Sequence, residues 1–242
     1  MFLAIAAAVS FLATTAYTCG PDGWAGTIWA KMLASSVFLD TAAVALLSDS
    51  HRGATGALLC AGLLFGWIGD LFLALSKRNG FPWFYGGMAA FLVNQIFFLI
   101  ALYRLDGFRW REAAMGASLA AAIALLAQFC HVDPGAMRIP AGIYGAFFCF
   151  LLAKAISVRT MCSSLSQGSV VSLTSAILLA LGIALWAVSD VVLGASMFSD
   201  CQRLPQRLFG FSRDKYLHMA NAFPYFVGQT ITACGIHYLS RF

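Results

Sequence analysis

The chain has little charge. Only 10% of its 242 residues are Asp, Glu, Lys or Arg, against 61% hydrophobic, and the mean hydropathy is +0.82. A soluble domain carries about 25% charged residues, so this chain lacks the surface that a water-facing globule needs. No segment has the composition of a separate soluble domain, and residues 1–242 read as one integral membrane domain. The seven cysteines show no Cys-x-x-Cys or Cys/His ligand spacing, which removes the usual signature of a metal site. Cys60, Cys130, Cys149 and Cys234 fall in apolar runs as small packing residues. Cys19 and Cys201 fall in loops on one face, where a disulfide is open. The four histidines, His51, His131, His218 and His237, are too dispersed for an intramembrane zinc hydrolase. Gly-x-Ser-x-Gly elbows, P-loops and Rossmann fingerprints are missing. A net charge of +5 suits loops beside anionic headgroups but is too small and scattered for nucleic acid. The first run, Met1 to Tyr17, has no basic flank and reads as a retained span rather than a signal peptide.

What the chain does have is apolar runs, at about 2–17, 28–47, 57–75, 84–103, 113–130, 140–157, 173–196 and 217–239. Runs of this length match the roughly 20 residues of a spanning helix. Helices are required, because an isolated lipid-exposed strand leaves its backbone unpaired. The expected fold is all-α, a polytopic membrane bundle of about eight helices with both termini on one face. Loop charges tie between the two faces, so the positive-inside rule leaves orientation open.

Two aspartates sit inside apolar runs, each in the same phrase: Gly69-Asp70 with Leu73 and Ser76, and Ser189-Asp190 with Leu193 and Ser196. A carboxylate in hydrocarbon costs roughly 2.5–3.5 kcal/mol on insertion scales. The repeated phrase raises an internal duplication of four helices plus four, with Gly62 and Asp70 aligned to Gly182 and Asp190. Alternating span direction also carries both aspartates toward the face away from the termini. Lys31, Tyr144, Tyr85, His218, Asn221 and Tyr225 reach the same half of the bilayer from the starts of other spans, with Asn94 and Gln95 near the middle of the fourth. The spacing of His218, Asn221, Tyr225 and Gln229 makes one helical stripe. Polar groups from six helices thus point to a pocket opening on that face. Individually each has a plainer explanation. Lys31 pairs with an aspartate or snorkels, and the amides act as interhelical glue. Asp40 and Lys154 lie elsewhere and read as structural.

At these residues the chain resembles the YhhN-like lysoplasmalogenases. The resemblance rests on Lys31, Gly69-Asp70-Leu71-Phe72-Leu73, Ser189-Asp190 and the closing Tyr225-x-x-x-Gln229, in that order. One phrase departs. Where the family shows Phe-x-x-small-His-x-x-Tyr, this chain has Phe91-Leu92-Val93-Asn94-Gln95-Ile96-Phe97-Phe98. The resemblance implies hydrolysis of the vinyl ether of lysoplasmalogens, with Asp70 and Asp190 catalytic and no metal or organic cofactor. Lys31, Tyr144, Asn94, Gln95, His218, Asn221, Tyr225 and Gln229 would contact substrate. It further implies a lysophospholipid substrate, membrane lipids as surroundings, no nucleic acid, and a multi-pass position in a bacterial inner membrane. Two rivals use the same residues: a non-enzymatic lipid binder or proton-coupled transporter, and a hydrolase of another lysolipid.

Overall fold

The computed structural model describes residues 2–19, 28–47, 53–129, 132–164, 173–198, 207–208 and 211–239. Eight α-helices follow one another within them. They are α1 Phe2–Cys19, α2 Ile28–Leu47, α3 Ala54–Asn79, α4 Phe81–Asp106, α5 Trp110–Phe129, α6 Arg138–Ser164, α7 Leu173–Phe198 and α8 Arg213–Leu239. A 3-10 turn, Gly135–Met137, leads into α6, and a short antiparallel ladder, Arg207–Leu208 against Phe211–Ser212, leads into α8. The fold is the all-α polytopic bundle that the apolar runs predict. Cys130 and Cys201 lie outside the described residues, so the open Cys19–Cys201 pairing does too.

Seven helices, α1 to α7, are long and apolar enough to cross a membrane. Helix α8 has the length, 27 residues, but carries Asp214, Lys215, His218, Asn221, Gln229 and His237. Its position accounts for this composition. It packs against α7, α2, α1 and α3, so its neighbours rather than lipid meet most of its surface. Helix α5 is the opposite case. It packs mainly on α6, and only Glu112 and Gly116 are buried.

Charge misplaces one helix end in the sequence. Lys77-Arg78-Asn79 reads as loop, yet it extends α3, and Gly80 alone separates α3 from α4. Gly80 breaks the helix with φ 85°, a conformation open to glycine. Pro82 then fits the first turn of α4, where its missing N–H is not needed.

Small residues bring the helices together. Helix α3 turns Gly62, Gly66 and Gly69 toward α4; a Cβ on Gly69 would lie 2.9 Å from the Phe91 ring. Helices α7 and α8 touch backbone to backbone, and a Cβ on Gly228 would lie 2.7 Å from the Gly182 carbonyl oxygen. Such contacts draw association energy from close packing, as helices in lipid must. Trp186 of α7 fills the centre between Phe91, Phe98 and Phe148.

The ends of α4 to α6 near the chain termini hold a separate ionic knot. The Lys154 ammonium is fully buried. It donates to the Gly107 carbonyl at 2.6 Å and to Glu112 Oε1 at 3.0 Å, and meets Asp106 Oδ2 at 3.3 Å. Ser157 also donates to Glu112, and Arg109 pairs with Asp106. Lys154 is therefore structural, as its place in the sequence suggested. Asp40 is exposed on α2 and belongs to neither polar cluster.

Candidate active site

The hairpin geometry of α2 and α3 sets the first pair. Lys31 is as far from the end of α2 at Leu47 as Asp70 is from the start of α3 at Ala54. Antiparallel neighbours therefore bring the two to one depth. Lys31 Nζ meets Asp70 Oδ1 at 2.9 Å. Asp70 Oδ2 accepts from Ser35 Oγ at 2.8 Å and from the Tyr225 hydroxyl at 2.7 Å. Three donors from α2 and α8 thus face one carboxylate that is only 1% exposed.

Asp190 is held differently. Its Oδ2 accepts from the Tyr144 hydroxyl of α6 at 2.6 Å, and no cation is recorded against it among the described residues. The preceding residue, Ser189, is fixed by Asn221 of α8, whose amide donates to the Ser189 carbonyl at 3.0 Å and lies 2.9 Å from its Oγ. The two matched phrases also share a local detail: Ser76 and Ser196 each donate back to the leucine carbonyl three residues earlier. That is a likeness of two helix ends and establishes no duplication of the halves.

Both aspartates line one cavity of about 810 Å³. Lys31, Tyr144, His218, Asn221 and Tyr225 line it with them. The lining comes from the half of the bundle where α3, α5 and α7 end and α4, α6 and α8 begin.

Three residues expected to contact substrate do not line it. Asn94, Gln95 and Gln229 are buried at 0–1% exposure behind the wall. Asn94 is taken up by the α3 contact, where its amide faces Gly62 and Gly66. Gln95 is buried beside Tyr144. Helical spacing gives the face of a helix but not the depth at which a cavity stops, and here Phe91 forms the α4 wall one turn nearer the opening. Conversely, the sequence reading missed Ser35 and Tyr17. Ser35 lies one turn after Lys31 on the same face of α2, a signal that was available. Tyr17 ends α1, lines the cavity and packs edge-on to His218 at 4.9 Å; nothing in its local sequence marks it.

The bundle and its carboxylate-lined cavity define a multi-pass membrane protein with a polar site buried between helices. Residues 27–236 match the model of the YhhN family, and the chain belongs to that family. No curated protein and no solved structure matches it.

Proposed function

We propose that the protein hydrolyses the vinyl ether bond of a lysoplasmalogen, giving a fatty aldehyde and a glycerophospho-base. The observation that carries this reading is the unequal pair of carboxyls on one cavity. Asp70, with Lys31, Ser35 and Tyr225 around it, is the fixed negative charge. Asp190, with one phenol and no recorded cation, is the proton donor.

The chemistry then parallels glycoside hydrolysis, in which an oxocarbenium-like species forms between two carboxyls. Asp190 delivers its proton to the alkene carbon remote from the ether oxygen. A C–H bond forms, the π bond breaks, and positive charge spreads over the adjacent carbon and the oxygen. Asp70 stabilises that cation through space, as a preorganised charge in a site with little water does. Water adds to the cationic carbon and gives its proton to the Asp190 carboxylate, which restores the acid. The hemiacetal collapses: its carbon–oxygen bond to glycerol breaks, and its hydroxyl proton passes to the departing oxygen. Tyr144 orients Asp190 throughout, and Asn221 fixes the backbone next to it.

The test is lipid mass spectrometry of purified protein incubated with 1-alkenyl and with 1-acyl lysophospholipid. Fatty aldehyde released from the alkenyl lipid alone is the expected result. Fatty acid released from the acyl lipid would make the protein a hydrolase of another lysolipid. Binding with no product from either would favour the lipid binder or proton-coupled transporter.

A further inference from the structure

The cavity has an arm that this chemistry does not use. Its lining beyond Tyr144 is drawn from α4, α5, α6 and α7. On α5, Leu119, Ile123 and Leu126 recur at helical spacing and face it; Met88 of α4 and Phe148 and Leu152 of α6 lie along it. Helix α5 is pinned to α6 near its start, by Glu112 and by Gly116 against Phe150. Farther along, Leu126 lines the cavity and is still 61% exposed. The arm is therefore apolar throughout and open along α5, while its inner end meets the aspartates.

Two glycines on its walls lack the usual reason for being there. Most helical glycines in this bundle meet a neighbouring helix closely. Gly145 of α6 and Gly194 of α7 meet nothing within 4 Å, and both line the cavity. A mid-helix glycine weakens its helix relative to alanine, and no packing contact requires one here. Gly145 follows Tyr144 directly, at the junction between the polar site and the apolar arm.

We propose that this arm holds the hydrocarbon chain of a single-chain amphiphile whose polar end lies at Asp70 and Asp190, and that Gly145 keeps the junction open. The occupant follows from continuity: one cavity passes from two carboxyls into an apolar slot that opens toward hydrocarbon. The inference rests on the lysolipid reading of the site, and it makes Gly145 a specificity determinant.

The probe is a series of saturated 1-O-alkyl lysophosphatidylcholines, which lack the reactive double bond, with binding read by native mass spectrometry. Wild-type protein should bind the longer chains more tightly and soluble glycerophosphocholine far less. Gly145→Leu should weaken the long-chain ether by about tenfold or more, a step that a few blocked methylene contacts supply. Gly145→Ala should fall between. Gly142→Leu is the control: Gly142 also meets nothing within 4 Å but does not line the cavity, so this variant should bind like wild type. Should Gly145→Leu fail to fold, an alkyl ether with a terminal diazirine replaces it and should label the α5 segment around Leu119 and Ile123. Chain-independent binding, a Gly145→Leu variant equal to wild type, or labelling confined to other helices would overturn the proposal. Chain-dependent binding without cleavage of the alkenyl lipid would instead overturn the vinyl ether reading and leave the arm standing.

Discussion

Asp190→Asn should lower aldehyde release by about 10²–10⁴-fold, the range expected for loss of an acid–base group, and Asp70→Asn by about 10²–10³-fold, as for loss of a preorganised charge. Their effects on stability should differ. Asp70→Asn strips the charge from an ion pair and leaves Lys31 beside a neutral amide. Lys31 is 14% exposed, so it recovers part of the cost by reaching toward water. Asp190→Asn keeps an acceptor for Tyr144 and orphans no cation. Thermal unfolding in detergent should therefore drop more for Asp70→Asn, and equal midpoints would contradict the unequal pairing. At Gln95, Gln95→His should retain turnover, because the position lies behind Tyr144 and touches no reacting atom. Gln95→Leu should lower kcat with KM little changed, since it removes the polar group beside the Tyr144 hydroxyl; unchanged kinetics would reduce Gln95 to packing.

At the level of helices, the Lys154 knot and the glycine contacts do different work. Lys154→Met removes the cation from between Glu112 and Asp106 and leaves the buried Glu112 carboxylate uncompensated, while Arg109 still pairs with Asp106. Breaking one side of a buried pair costs roughly 3–5 kcal/mol, so the variant should unfold at markedly lower temperature. Gly228→Leu should prevent α8 from seating on α7 and abolish expression of folded protein, whereas Gly145→Leu should not. The helices themselves were legible, because Gly20-Pro21, Gly80-Phe81-Pro82 and Asp133-Pro134-Gly135 punctuate long apolar runs. The knot was not. Asp106 and Glu112 read as loop charges between two spans, and the fully buried lysine that they serve stands on a third. Nor was the peripheral place of α5 legible, since its run is as apolar as those of inner helices.

Across the whole molecule, burial does not follow hydropathy: α7 is the most hydrophobic span and well buried, α5 is less hydrophobic and the least buried. The least hydrophobic long helix, α8, is the most surrounded, and the cavity draws polar groups from it, from α2 and from α6. The sequence reading found the shared half of the bundle from span direction alone, and the pairing of Lys31 with Asp70 was one of its two alternatives. Asn94, Gln95 and Gln229 lie behind the cavity wall, because convergence of polar residues does not separate a wall from the layer behind it. A double variant, Tyr144→Phe with Tyr225→Phe, tests the wall as a unit. It frees both carboxyls of their phenol donors and should lower kcat by more than either single change while fold and expression persist.

The Lys31–Asp70 hairpin bears on how the chain enters the bilayer at all. Helices α2 and α3 are consecutive, so their opposite charges can meet while the pair leaves the translocon together, each lowering the other's penalty of roughly 2.5–3.5 kcal/mol. Asp190 has no such companion, and α7 is the most hydrophobic of the spans. Lys31→Leu should accordingly reduce membrane insertion of α3 in a glycosylation-mapping assay and leave α7 unaffected. Unimpaired insertion of α3 would mean that the two charges find each other only after both helices are in place.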